Sequence, residues 1–170
     1  MKYDKIITNT GESIHDISMD TPVLLVFLRH FGCIFCQEAL ADLAAMKADI
    51  TAKNVELIFV HMANYETAES YFEQYKLNGI RHVSDESTEL YAKFGLVKGN
   101  FNQLFGFNTW VRGFEAKRKG HTWAMRGVGD SLQMPGIFVI ANGQLRGSYI
   151  HKRVSDKPDY EKLISIVAQN

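Results

Sequence analysis

Cys33 and Cys36 are the residues of this chain whose type and spacing most directly suggest chemistry. They are the only two cysteines in the sequence, and they lie in the stretch FLRHFGCIFCQEAL, between an apolar run and a helical pattern. A Cys-x-x-Cys pair can act as a redox-active dithiol, supply half of a metal site, or occupy a core as two inert thiols. The elements around the pair favour one of these three interpretations.

The predicted position at the start of a helix favours redox chemistry. The first N–H groups of a helix have no intrahelical partner, and the helix dipole places about half a positive charge there, so both stabilise a thiolate. Cys-x-x-Cys thiols at such positions have pKa values of about 3.5–7.5, against about 8.5 for free cysteine. Arg29 and His30 lie just upstream and would support the pair by adding positive charge. The second thiol then attacks a sulfenic acid or mixed disulfide formed on the first.

A structural zinc site is the first alternative, and it usually needs four Cys or His ligands. The chain has two cysteines and six histidines, and the histidines are scattered, so we predict neither a metal nor a cofactor. Two buried inert thiols are the other alternative. Helical spacing places Cys36 one turn before Leu40, which leans it toward the core and leaves Cys33 more accessible. On this geometry Cys33 attacks and Cys36 resolves.

The surrounding patterns predict an α/β domain with a central mixed sheet flanked by helices. Apolar runs predict strands at 23–28, 55–62 and 80–85. Helical spacing predicts helices at 34–53, 67–77 with Thr67 as its cap, one or two helical turns within 86–96 that stop at Gly95, and 159–170 after Pro158. A strand–helix–strand unit implies parallel strands, whereas Asn142-Gly143 predicts an antiparallel hairpin over 135–150. KIIT and SIHDI predict a further short hairpin near the N-terminus.

Composition predicts one domain over residues 1–170, because the chain has 170 residues, 46% of them hydrophobic and 22% charged. The formal net charge is zero, and no apolar run is long enough to span a bilayer, so we expect neither nucleic acid nor membrane as a partner. The first residues lack the apolar segment of a signal peptide, so a reducing cytoplasm is the expected location.

Residues 97–130 fit the layered pattern worst, because they are rich in glycine, aromatic and basic residues. Two interpretations stay open for this insertion. It packs its aromatic side chains on the domain, or it forms a lid or partner surface.

The order of these motifs resembles the thioredoxin-like superfamily, with Pro135 as its loop proline ahead of the hairpin. That likeness implies a cis Met134–Pro135 bond close to the cysteines. A closer resemblance is to the peroxiredoxin-like AhpC/TSA family, in its selenoprotein-L and peroxiredoxin-like 2 branch. It rests on FLRHFGCIFCQEAL, SDESTELYAKFGL and GDSLQMPGIFVIANGQLRGSYIHKRVSD, in that order. The resemblance implies a thioredoxin-like fold and thiol-based reduction of peroxides or disulfides.

The resemblance gives the two cysteines a second assignment. Against the peroxiredoxin threonine-x-x-cysteine motif, Cys36 takes the attacking position and Cys33 replaces the threonine, whereas against thioredoxin Cys33 attacks. The chain reads RHFG where peroxiredoxins carry a proline before that threonine, and QMPG where they carry an arginine. Arg29, Arg112 and Arg126 are candidates to replace that arginine.

We therefore expect a thiol-dependent oxidoreductase that reduces peroxides through Cys33 and Cys36. The alternatives are a general thioredoxin-like disulfide reductase and a non-catalytic redox sensor or binding module. The expected partners are a peroxide or disulfide substrate and a thiol reductant of the thioredoxin or glutathione type. A homodimer is one option for the assembly.

Overall fold

A mixed β-sheet lies at the centre of the protein, in a computed structural model that describes residues 3–99 and 129–168. In the described part the sheet has five strands in the order β3-β2-β1-β4-β5. The strands are β1 (Val23–Phe27), β2 (Glu56–His61), β3 (Arg81–Ser84), β4 (Gly136–Ala141) and β5 (Gln144–Ile150). β1, β2 and β3 are parallel, whereas β4 is antiparallel to both β1 and β5. The predicted mixed α/β sheet is confirmed.

Helices cover both faces of this sheet. They are α1 (Ile14–Asp20), α2 (Ile34–Ala52), α3 (Tyr65–Gln74), α4 (Glu89–Lys93) and α5 (Tyr160–Ser165). Alternate residues of β1 serve two cores, because side chains of a strand point to opposite faces. Leu24 packs with residues of α2, α3 and α5, and Leu25 packs with residues of α1 and α4. Every residue of β1 is buried, which explains its unbroken apolar sequence.

One predicted helix start and one predicted hairpin differ from the structure. Ser13 ends an isolated bridge with Ile7 and then caps α1, its side chain accepting the N–H of Asp16 at 3.0 Å, so SIHDI begins a helix rather than a strand. Asn64 caps α3 and accepts the N–H of Thr67 at 2.9 Å, so Thr67 is not the cap. In both cases a side-chain oxygen three residues upstream satisfies an N–H group that the helix leaves unpaired.

The hairpin of β4 and β5 turns at Asn142 and Gly143, as predicted. Their φ angles are 52° and 65°, the left-handed pair that a two-residue hairpin turn requires. β4 begins immediately after Pro135. The Met134–Pro135 bond is trans, since no peptide bond in the described part is cis, so the cis expectation was wrong. Trans is the ordinary preference of a bond before proline.

The described ends of the 97–130 insertion lie next to each other. Lys98 forms an antiparallel bridge with Gln133, and the N–H of Gly99 donates to the Leu132 carbonyl at 2.7 Å. Residues 100–128 lie outside the described part, and so do the two interpretations of this segment. Among the helices that are described, none is long and apolar enough to cross a membrane.

Candidate active site

The two cysteines lie at the start of α2, just after the loop that follows β1. Cys33 is the N-cap residue of α2, with extended backbone (φ −79°, ψ 124°), and its carbonyl accepts the N–H groups of Cys36 and Gln37 at 3.0 Å. Cys36 lies in the first helical turn. The turn before the helix is closed by the Cys33 N–H, which donates to the His30 carbonyl at 2.9 Å. This is the strand–turn–helix setting that the sequence indicates for the pair.

Both sulfur-bearing side chains are buried, which differs from the prediction for Cys33. Cys33 is 2% exposed and Cys36 is 5% exposed, so the N-cap cysteine is not the more accessible one. In the loop before α2, Phe31 is buried and stacks on Tyr71 of α3 with ring centroids 4.5 Å apart. Helical spacing carries no information on the burial of a residue at the N-cap, because that burial depends on residues outside the helix.

Arg29 contacts both sulfur atoms. Its guanidinium Nη1 donates to Cys33 Sγ at 3.3 Å, and its backbone N–H donates to Cys36 Sγ at 3.3 Å. A second guanidinium nitrogen, Nη2, donates to the Ser131 carbonyl. The arginine is only 6% exposed, and buried guanidinium groups remain charged. One residue therefore holds a fixed cation at Cys33 and a neutral donor at Cys36.

The Cys33 thiol is the one that this arrangement ionises. Its pKa is held well below the usual range. The largest cause is a hydrogen bond from the Cys36 thiol, which outweighs burial, and the charge of Arg29 acts in the same direction. The pKa of Cys36 is raised well above its usual range by that same hydrogen bond, by burial and by the negative charge on Cys33. The pair therefore holds one thiolate and one thiol.

His30 is half-buried and lies next to this pair. Burial lowers its pKa, the Cys33 thiolate raises it, and Arg29 lowers it again, so the imidazole is neutral at neutral pH. Its contribution is thus a polar neighbour and a backbone carbonyl, while Arg29 is the permanent charge. Arg112 and Arg126 were the other two candidates to replace the peroxiredoxin arginine, and both lie outside the described part of the chain.

Pro135 lies on the other side of Cys36. Both line a cavity of about 40 Å³. The walls of this cavity also include Phe35, Glu38, Val154, Tyr160 and His151. The site thus has two sides: Arg29 at Cys33, and a small cavity at Cys36. Within the described residues, no group of three or more His, Cys, Asp or Glu is arranged to hold a metal.

Sequence reasoning missed two contributors to this site. Ser131 supplies the carbonyl that holds the Arg29 guanidinium, from a position 102 residues along the chain. His151 enters the cavity wall from the end of β5. Neither residue is marked by spacing or by a motif. Their proximity arises because β4 pairs with β1 and returns through the hairpin.

Most of the chain is similar in sequence to known proteins. Residues 42–155 match the family model described as AhpC/TSA antioxidant enzyme. The match begins after Cys36, so it supports the domain rather than the cysteines. Thioredoxin-like protein AAED1, chloroplastic, from Arabidopsis thaliana is 27% identical over 160 residues, which are 89% of this chain and 64% of that relative. This chain therefore spans less than two thirds of it.

Prostamide/prostaglandin F synthase from Salmo salar is 26% identical over 141 residues, covering 79% of this chain and 68% of that protein. Among solved structures, Xanthomonas campestris peroxiredoxin Q has a TM-score of 0.68 at 13% identity, covering 99% of this chain and 94% of that chain. At that identity the likeness establishes the fold alone. The fold is peroxiredoxin-like, as the sequence predicted.

Proposed function

Because the chain belongs to the AhpC/TSA antioxidant enzyme family, with its thiol-dependent redox chemistry, we propose that it reduces peroxides through Cys33 and Cys36. The observation that carries the proposal is the double contact of Arg29, which places a guanidinium at one sulfur and a backbone N–H at the other. This arrangement supports different tasks for the two thiols. Cys33 is the attacking residue and Cys36 the resolving residue.

The first step is the attack of the Cys33 thiolate on a peroxide oxygen. An S–O bond forms and the O–O bond breaks, so Cys33 is oxidised to sulfenic acid and the peroxide is reduced. The departing hydroxide or alkoxide takes a proton from solvent and leaves as water or alcohol. The guanidinium of Arg29 lies beside this sulfur and stabilises negative charge on the departing oxygen. Burial of both sulfurs favours small peroxides as substrates.

The second step joins the two sulfurs. The Cys36 sulfur attacks the sulfenic sulfur of Cys33, an S–S bond forms, the S–O bond breaks, and water is released. The Cys36 thiol already donates to the Cys33 sulfur, so ring closure needs little movement of α2. A thiol reductant of the thioredoxin or glutathione type then reduces the disulfide. A reducing compartment such as the cytoplasm is part of the proposal, because it restores the dithiol from which the reaction starts.

The assignment of Cys33 as attacking residue opposes the family's threonine-x-x-cysteine alignment, which gives that task to Cys36. The electrostatics support Cys33, because the charge of Arg29 and the Cys36 hydrogen bond both favour its thiolate. A raised pKa leaves Cys36 as a thiol at neutral pH, and the thiol is a poor nucleophile.

Peroxide-consumption kinetics on the wild type, Cys33→Ser and Cys36→Ser test this proposal, with mass spectrometry of each oxidised product. We expect Cys33→Ser to abolish consumption. We expect Cys36→Ser to consume one equivalent rapidly and to stop as a Cys33 sulfenic acid. Retention of rapid sulfenic acid formation by Cys33→Ser would give the attacking role to Cys36. If neither substitution changes consumption, the proposal fails.

A general disulfide reductase is the second candidate, favoured by the hydrogen bond between the two thiols and by the thioredoxin-like position of Cys33 at the N-cap. Reduction of insulin disulfides in the absence of peroxide turnover would select it. A non-catalytic redox sensor is the third candidate function, as the sequence analysis proposed. Its signature would be reversible formation of the Cys33–Cys36 disulfide with neither peroxide nor disulfide turnover.

A further inference from the structure

The cavity beside Cys36 is also lined by His151, which has no role in the two steps proposed above. When Cys36 attacks the oxidised Cys33, the proton of its thiol has to leave a buried position. Resting on the proposed function, we infer that His151 accepts this proton through water in the cavity that it shares with Cys36. His151 is thereby a proton-transfer residue for the resolving thiol, and it does not contact Cys33.

The geometry of the cavity fits this task. Its volume of about 40 Å³ is enough for on the order of one or two water molecules. Cys36 and His151 both line it, with Phe35, Pro135 and Val154 as apolar walls. A water in a cavity needs two to four polar partners, and the lining supplies them in the thiol, the imidazole and the side chains of Glu38, Asp42, Asp156, Lys157 and Tyr160.

His151 has a nitrogen available for this role. Its Nδ1 is buried and has no hydrogen-bond partner among the described residues, and such an atom in a folded protein calls for an explanation. The residue is held by its backbone N–H, which donates to the Pro135 carbonyl at 3.4 Å, and by an edge contact of its ring with Tyr149 at 5.0 Å. The ring is therefore fixed at the cavity while Nδ1 keeps its hydrogen-bonding capacity.

The acidic groups around the cavity are engaged elsewhere. Lys157 Nζ lies 2.8 Å from Asp42 Oδ2 and 4.0 Å from Glu38 Oε1. Asp156 accepts the N–H groups of Lys152 and Arg153, both at 2.8 Å. Tyr149 and Tyr160 have raised pKa values because of burial and do not accept protons near neutral pH. Glu38 is the main competitor, because it is buried and lines the same cavity.

The protonation state of His151 suits a proton acceptor. Burial lowers its pKa to about 4, against the opposing charge of Asp156 and hydrogen bonds with the backbone of Pro135 and Asp156, so the imidazole is neutral at neutral pH. A protonated imidazole at this position is short-lived and returns its proton to solvent. In the reductive direction, a donor thiolate attacks Cys33, the S–S bond breaks, and the Cys36 thiolate that leaves takes a proton back by the same route.

The atoms balance in each direction. During closure, the proton of Cys36 passes to His151, the S–S bond forms, and the hydroxide that leaves Cys33 takes a proton from solvent as water. The net change is thiol plus sulfenic acid to disulfide plus water. With a small aromatic disulfide as oxidant, Cys33 first displaces one aromatic thiolate. Cys36 then displaces the second, with the same requirement to lose its proton.

The test follows ring closure separately from the first attack, in wild type, His151→Gln and the control His15→Gln, which changes a histidine of α1. One experiment uses one equivalent of hydrogen peroxide, with quenching and mass spectrometry of sulfenic acid and disulfide. A second uses 4,4′-dithiodipyridine, whose two thiopyridone release steps report attack and closure. We expect His151→Gln to leave the first step within about twofold and to slow closure about tenfold or more. Its closure rate should rise with pH more steeply than that of the wild type, and His15→Gln should behave like the wild type.

Two further variants keep the inference falsifiable. Added imidazole should speed closure in His151→Ala, a rescue that a purely structural role of His151 does not predict. Unchanged closure in His151→Gln, or slowing confined to Glu38→Gln, overturns the inference and in the second case gives the role to Glu38. Failure of peroxide to form sulfenic acid would refute the proposed function. The dithiodipyridine experiment would still decide the role of His151.

Discussion

The protein contains two buried pairs of identical residues, and they behave in opposite ways. Cys33 and Cys36 form one pair. His61 and His82 form the other, with Nε2 of His61 2.7 Å from Nδ1 of His82 and both side chains 1% exposed. Burial lowers the pKa of His61 to about 3 and that of His82 to about 4, so both imidazoles are neutral. In the cysteine pair, one member is ionised.

The difference between the pairs lies in their neighbours rather than in their burial. Aromatic rings pack against the histidines. The ring centroids of Phe31 and His61 are 5.7 Å apart, and those of Phe72 and His82 are 5.0 Å apart. The carboxylate of the exposed Glu69 lies 3.9 Å from His82 Nε2. Desolvation therefore dominates and favours the neutral form. At the cysteines, the buried charge of Arg29 and two donated hydrogen bonds reverse this outcome for one thiol.

Removing the cation from the cysteine pair is expected to change the Cys33 pKa strongly. Arg29→Met leaves the backbone N–H at Cys36 and deletes the guanidinium at Cys33. A nearby opposite charge typically lowers a pKa by about 1–3 units, and we expect the pKa of Cys33 to rise by about two. Alkylation by iodoacetamide as a function of pH measures this shift, and the rate at neutral pH should fall about a hundredfold.

Arg146→Met is the matched control for this substitution, because Arg146 is exposed on β5, away from both sulfurs. It should leave the alkylation rate unchanged. Arg29→Lys keeps the charge but loses the planar fork, so an intermediate rate is expected. An Arg29→Met protein that stays folded and keeps the alkylation profile of the wild type would show that Arg29 is not what separates the two pairs.

The fold around these pairs was largely predictable. Unbroken apolar runs indicated β1 and β2, and Asn142-Gly143 indicated the hairpin, because each signal is local and has few alternatives. SIHDI was misassigned as a strand, although its two apolar residues, Ile14 and Ile17, are three positions apart, which fits a helical turn rather than a strand. The Ser13 cap three residues before Asp16 was the available signal for a helix.

The candidate site was predictable only as far as local sequence reached. Cysteine spacing and the strand–helix order placed the thiols at the start of α2. The packing of the loop before α2 depends on Phe31 stacking on Tyr71, and the position of the Arg29 guanidinium depends on the Ser131 carbonyl. These contacts join residues 40 to 102 positions apart, which no periodicity in the sequence encodes. The relative exposure of Cys33 and Cys36 could therefore not be derived from helical spacing.

Acid titration of stability distinguishes the histidine pair. A histidine whose pKa is depressed in the folded protein contributes stability that is present above its unfolded pKa of about 6.5 and is lost as the pH falls toward the folded value. For His82, with a folded pKa of about 4, about 2 kcal/mol should be lost between neutral pH and about pH 5. His82→Gln keeps a hydrogen-bonding partner for His61 but does not titrate, so its unfolding free energy should fall less.

Urea unfolding at a series of pH values measures this difference. Above the unfolded pKa of histidine, the pH dependence of the variant and of the wild type should coincide, which serves as the internal control. Equal losses in the two proteins below that pH would mean that His82 is not held neutral by the fold. The contrast between a neutral histidine pair and a cysteine pair with one ionised member would then no longer hold.

The last expected effect concerns the thiol that Cys36 donates to Cys33. Cys36→Ala removes this donor, the largest single cause of the low Cys33 pKa, so the pKa of Cys33 should rise by about two units and its alkylation rate at neutral pH should fall about a hundredfold. Cys36→Ser keeps an O–H donor of similar reach and should stay closer to the wild type. Both variants retain Arg29, so the comparison between them isolates the hydrogen bond from the charge. If Ala and Ser give the same Cys33 pKa, the donated hydrogen bond contributes nothing. The asymmetry between the two thiols then comes from Arg29 alone, which is the one ingredient that the histidine pair lacks.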